Sequence, residues 1–161
     1  MGDRVKQTLF AILDPDLAGA RVLDLYAGSG AAGIEALSRG ASHATFIERD
    51  VDACGVIRAN LERTHLGGDD VLIVTQTVRH WLGKPPRSTF DIVVLDPPYD
   101  EPGELLAALT AIGPHLAPGG RVVAKHASGA VPPSTVGLLA SERERRFGET
   151  PLTFYRPQEE R

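Results

Sequence analysis

Four consecutive residues, Asp96-Pro97-Pro98-Tyr99, close the apolar run DIVVLD and have the chemistry to act on an aromatic amino group. Such a nitrogen is a poor nucleophile, because its lone pair is delocalised into the ring. It attacks an electrophilic carbon only as it becomes tetrahedral, and acceptors on its N–H bonds favour that change as positive charge develops. Asp96 offers a carboxylate and Pro97 a backbone carbonyl. The two prolines restrict the backbone and bring no N–H donors. Tyr99 offers a face on which a splayed base can stack, worth about 1–3 kcal/mol. For a Pro-Pro pair taken alone, a rigid loop is the competing reading. The strand before it and the flanking Asp and Tyr favour chemistry.

A second constellation follows the run RVLDL, in the segment Asp24-Leu25-Tyr26-Ala27-Gly28-Ser29-Gly30-Ala31-Ala32-Gly33. Gly28, Gly30 and Gly33 satisfy GxGxxG between a strand and a helix. Glu48 ends the next apolar run, where an acidic side chain can accept both hydroxyls of a ribose. By that pattern a nicotinamide or flavin dinucleotide would fit. Asp24, at the mouth of the loop, argues against it, because a carboxylate repels a pyrophosphate set at a helix N-terminus. S-adenosylmethionine has no phosphate, and its ammonium and sulfonium charges welcome a carboxylate. Thr77 and Val78, past the third strand, would lie beside the adenine. The competing readings are a helix cap for Asp24 and Thr77 and a solvated strand end for Glu48.

These loops need a scaffold. The runs 21–25, 44–48, 71–75, 91–96 and 121–125 read as short buried strands, and 31–39, 51–65, 77–82 and 102–116 as helices between them. That alternation predicts an α/β fold with a parallel sheet covered on both faces. Ligands then bind beyond the carboxyl ends of the strands, where the strand order reverses. Strands one and four are the expected neighbours there. Val5, Leu9, Ile12 and Leu13 have helical spacing, so a helix over about 2–13 precedes the first strand. Residues 140–147 and 151–156, around Gly148-Glu149-Thr150, predict a closing antiparallel hairpin.

Composition bounds the function. The chain has 161 residues, enough for one domain with a real core. No apolar run approaches the ~20 residues of a membrane span. The charged start lacks the form of a secretory signal. The single cysteine, Cys54, excludes an internal disulfide and a cysteine-based zinc cage. A cytoplasmic location and no metal are expected. A net charge of -4 disfavours coating nucleic acid by bulk charge, but leaves room for a local basic face.

The motifs carry a family resemblance over nearly the whole chain. DRVKQTLFAIL, VLDLYAGSGAAGIEALSRGA with ATFIERD, LDPPYD and RRFGETPLTFYRP resemble segments of the bacterial 16S rRNA guanine-N2 methyltransferases of the RsmD family. The resemblance implies a Rossmann-like class I methyltransferase with seven strands ordered 3-2-1-4-5-7-6. It implies methyl transfer from S-adenosylmethionine to the N2 amino group of a guanine in 16S rRNA, in the 30S subunit or its assembly intermediate. It also implies a cofactor set of Asp24, Tyr26, Ala27, Gly28, Gly30, Glu48, Arg49, Thr77 and Val78. The catalytic set is Asp96, Pro97, Pro98 and Tyr99. A single domain acting as a monomer is expected.

Three departures accompany the likeness. The chain starts almost at the DRV helix, so the family's basic N-terminal hairpin is expected to be either trimmed from it or lacking in this member. Thr77 stands where Asp or Asn is common, and Lys125 where many relatives carry Glu before the His. Candidate RNA contacts are Arg4, Lys6, Lys84, Arg87, Arg143, Arg145 and Arg146, although for each taken singly a solvated surface charge is the preferred reading. The alternatives are methylation of adenine in DNA or RNA, methylation of a protein glutamine, or a dinucleotide-binding module without catalysis.

Overall fold

The computed structural model describes residues 2–98, 100–101, 103–130, 132–147 and 150–158. Strands β1 (Arg21–Leu25), β2 (His43–Glu48), β3 (Val71–Thr75), β4 (Phe90–Leu95) and β5 (Leu116–Lys125) alternate with helices α2 (Ala31–Ser38), α3 (Val51–Thr64), α4 (Val78–Leu82) and α5 (Glu104–Ala111). Helix α1 (Asp3–Leu17) comes first, and β6 (Thr135–Val136), β7 (Leu139–Phe147) and β8 (Thr150–Pro157) come last. All eight strands form one sheet in the order β3-β2-β1-β4-β5-β8-β7-β6. β1 to β5 pair in parallel, whereas β8 runs antiparallel to both β5 and β7.

The expected count of seven strands is therefore corrected to eight. The added strand is the two-residue β6, which pairs antiparallel with β7 through Thr135↔Ala140 and Val136↔Leu139. Two residues are too few to display a strand period, so β6 has no signature in the sequence. Without it the order is the expected one. Two helix boundaries also move. α1 continues beyond residue 13 through Pro15, which brings Leu17 into the buried row Leu9, Phe10, Leu13. The expected helix 102–116 is α5 followed by a 3₁₀ turn, Gly113–His115, with Pro114 at its start.

The strands are apolar because both faces are covered. Leu23, Leu25, Val93, Leu95, Val122 and Ala124 point to one core. The intervening Val22, Ile92, Val94 and Val123 point to a second core on the other face, under α1. A third cluster, Ala44, Phe46, Ile57 and Leu61, seats α3 against β2. The sheet order reverses at β1, which lies between β2 and β4. The chain leaves β1 for α2 and leaves β4 for α5, which pack on opposite faces of the sheet. A crevice between the two loops follows from that divergence.

Candidate active site

The first wall of the crevice is the turn out of β1. Tyr26 (φ 59), Gly28 (φ 59) and Gly30 (φ 82) take left-handed backbone there, and Gly30 opens α2. Glycine adopts that conformation without the Cβ penalty that Tyr26 bears. Gly33 has a different reason to lack a side chain. A Cβ there would sit 2.4 Å from Cε1 of buried Phe46, so the missing atom lets α2 press onto β2.

Two carboxylates organise this turn. Asp24 is only 2% exposed and accepts the backbone N–H of Gly33 at 2.9 Å. Its pKa is pushed up to about 8, chiefly by burial and further by the charges of Asp96 and Glu48, against the Gly33 hydrogen bond. Glu48 accepts from Gly28 N through Oε1 and from Asp50 N through Oε2, each at 2.9 Å. It therefore fastens the loop after β1 to the loop after β2.

Both loops face a cavity of about 550 Å³. Tyr26, Ile47, Glu48, Arg49, Thr77, Val78, Asp96, Pro97 and Pro98 are among the residues that line it. Thus most of the expected cofactor and catalytic residues meet in one place. Asp24 instead lies beneath the glycine turn, and Ala27 is nearly buried, with its N–H donated to Ile47 O at 3.1 Å. Thr77 caps α4, accepting from His80 N at 3.2 Å, and still borders the cavity. Tyr99 lies outside the described residues. A second cavity of about 340 Å³ shares Pro97, Pro98, Glu101 and Lys125 with the first, and is otherwise walled largely by apolar side chains such as Leu105, Leu106 and Leu109.

Sequence reasoning missed the ion pairs around the opening. Arg49 bonds Glu101 and Arg79 bonds Glu104, each at 2.6 Å. The Tyr26 hydroxyl donates to Glu104 at 2.7 Å. Burial pushes the Glu104 pKa up, but the hydrogen bonds from Tyr26 and Arg79 outweigh it and the net shift is downward. Burial and the Glu104 bond raise the Tyr26 phenol well above its usual range. Lys125 Nζ lies 3.3 Å from Asp96 Oδ1. Glu101 and Glu104 sit beyond Asp96 with no spacing that marks them, so no sequence signal pointed to them. Of the basic candidates for RNA contact, Arg143 lies over the Phe154 ring, 5.1 Å from its centroid, and Arg146 approaches Glu144 at 3.5 Å.

The cavity carries five carboxylates, Glu48, Asp50, Asp96, Glu101 and Glu104, against three cations, Arg49, Arg79 and Lys125. That balance suits a cationic ligand and opposes a pyrophosphate. Val78 and Ile47 supply apolar surface for a ring. The residues present fit S-adenosylmethionine.

Sheet order, glycine turn and Asp-Pro-Pro loop define the class of Rossmann-like methyltransferases. The chain belongs to the RsmD family, whose model, described as "Conserved hypothetical protein 95", matches residues 1–156. The Bacillus subtilis (strain 168) protein named "Putative rRNA methyltransferase YlbH" is 38% identical over 157 residues, covering 96% of this chain and 85% of that protein. A Haemophilus influenzae protein named "Ribosomal RNA small subunit methyltransferase D" is 39% identical over 99 residues, covering 61% of this chain and 51% of its own length. The match to that relative thus spans about half of it. Among solved structures, "Putative methyltransferase yhhF from Escherichia coli" superposes with a TM-score of 0.88 at 29% identity, covering 98% of this chain and 87% of the other.

Proposed function

We propose that this protein transfers a methyl group from S-adenosylmethionine to the N2 amino group of a guanine in 16S rRNA. The observation that carries the reading is the acidic cavity bordered by Tyr26 after β1, Glu48 after β2 and Asp96-Pro97-Pro98 after β4. The names of the rRNA methyltransferase relatives support the substrate class.

When bound, S-adenosylmethionine supplies an electrophilic methyl on a positively charged sulfur. Glu48 is placed to receive ribose hydroxyls, since each carboxylate oxygen keeps acceptor capacity beyond its one backbone N–H. Val78 would supply apolar surface for the adenine, with Thr77 beside it. Asp24 acts from beneath the turn by holding α2 in place. On the other side, the guanine enters the apolar second cavity next to Pro97 and Pro98. Asp96 and the Pro97 carbonyl accept from the N2 amino group and stabilise the charge that develops as the nitrogen attacks. Once quaternised, the nitrogen loses its proton easily, and Asp96 takes it up. No strong base is needed beforehand.

A methylation assay with labelled S-adenosylmethionine tests this. The substrates are 30S subunits, naked 16S rRNA and duplex DNA, followed by nucleoside analysis. N2-methylguanosine from ribosomal RNA is expected. Label recovered as methyladenosine, or only in DNA, overturns the guanine assignment. Binding of NAD without binding of S-adenosylmethionine overturns the whole reading.

A further inference from the structure

We propose that Lys125 is a positioning residue for methyl transfer: its ammonium holds the Asp96 carboxylate in direction where the two cavities meet. The inference rests on the function proposed above and concerns a residue outside both the glycine turn and the Asp-Pro-Pro segment.

The geometry starts from the sheet. β4 and β5 run parallel with Leu95 opposite Ala124, so Asp96 and Lys125 are the next residues along each strand. Asp96 is the first residue beyond β4 and Lys125 the last of β5, so both stand at the carboxyl end of the sheet. Nζ reaches Oδ1 at 3.3 Å, with side chains 13% exposed for Lys125 and 24% for Asp96. A pair so withdrawn from water interacts more strongly than a surface pair, because less solvent screens it. Lys125 also borders both cavities, as Pro97 and Pro98 do.

Charge explains why a cation is useful there. Asp24 on β1 and Glu48 at the end of β2 lie near enough for the charges of Asp96 and Glu48 to disfavour an ionised Asp24. Glu48, Glu101 and Glu104 border the same cavity as Asp96, so a cation there stands among carboxylates. The two arginines of the first cavity are engaged elsewhere, Arg49 by Glu101 and Arg79 by Glu104. Lys125 is the cavity cation set against Asp96. One ammonium contact to Oδ1 leaves the carboxylate able to accept further hydrogen bonds, because it has about four lone-pair sites. The pair thereby orients Asp96 without removing it from the reaction.

The test compares Lys125→Met and Lys125→Arg with the unaltered chain. The readouts are kcat and KM on ribosomal RNA, the cofactor Kd by calorimetry, and the thermal melt. Lys125→Met is expected to lower kcat by roughly 10–100-fold, the scale of a misplaced reacting group. Cofactor Kd should stay within about twofold, since the loss falls on the chemical step. Lys125→Arg should recover most of kcat, because the guanidinium can still pair with Asp96. If Lys125→Met gives no cooperative melt, Lys125→Gln replaces it under the same criteria. An unaltered kcat in the uncharged variant overturns the role. So does parallel loss of cofactor binding and turnover, which would place Lys125 in the cofactor site. An unaltered chain inert on every RNA and DNA substrate sinks the methyl-transfer reading and this role together. An active unaltered chain with an equally active Met variant sinks this role alone.

Discussion

Asp24 and Asp96 were both legible as functional carboxylates, yet the structure gives them different surroundings. Asp96 borders the cavity beside Lys125, whereas Asp24 is buried under the turn with its carboxylate on Gly33 N–H. Replacing Asp96 by Ala should cut turnover by roughly 100-fold or more, the scale of losing one charge-stabilising contact. Cofactor affinity should be nearly unchanged by calorimetry, and equal loss of both would move Asp96 into the cofactor site. Asp24 yields a prediction about stability. Its folded pKa of about 8 lies above the ordinary value of 3.8. Between those values the folded protein binds a proton that the unfolded chain has released, so stability falls as pH rises from about 4 towards about 8. Asp24→Asn removes that slope while keeping an acceptor for Gly33. Its urea midpoint should match the parent near pH 4 and exceed it at pH 8.5, and parallel curves at both pH values would contradict the burial argument.

Helices and strands were read closely from hydrophobic period and turn residues. β1 and β3 fall at their expected residues, and the helix expected over 51–65 is α3, Val51–Thr64. The three glycines lie between β1 and the first turn of α2, as their spacing suggested, each for its own structural reason. Gly28 and Gly30 adopt left-handed backbone, and Gly33 makes room for Phe46. Gly33→Ala should therefore destabilise the protein by about 1–3 kcal/mol through overpacking, measured by urea unfolding. Adding Phe46→Leu should restore part of that loss, because contacting sites do not add independently. A simple sum of the two single losses would deny the contact. The misjudged elements were those whose ends depend on packing. α1 passes Pro15 because Leu17 finds a buried place, and β6 exists because α5 and β7 are there to receive it.

β8 ties the parallel half of the sheet to its antiparallel end. It lies between β5 and β7, and Phe154 and Tyr155 on it are fully buried on opposite faces. Phe154→Ala should cost about 3–5 kcal/mol, as for other buried aromatics. The sheet is continuous, so loss of that side chain should weaken the whole molecule. Far-UV circular dichroism and the fluorescence of Trp81, the one tryptophan, should move to lower urea together. Separation of the two transitions would mean that the hairpin and the cofactor half unfold apart. The net charge of -4 also takes on local meaning, since acidic residues outnumber cations in the cavity itself. The charge that seemed to disfavour a nucleic-acid partner suits a cationic cofactor.

Local order was already present in the residue pattern. Strand and helix types follow from periods of two and of about 3.6, the turn from its glycines, and the proposed Asp-Pro-Pro chemistry from four adjacent residues. These are properties of near neighbours, so one chain displays them. The strand count, the burial of Asp24, the Arg49–Glu101 and Arg79–Glu104 pairs and the Lys125–Asp96 contact depend on segments far apart in the chain. Packing sets those distances and excludes water from some groups and not others. Desolvation and charge pairing depend on that exclusion, so they became readable only once the chain was folded.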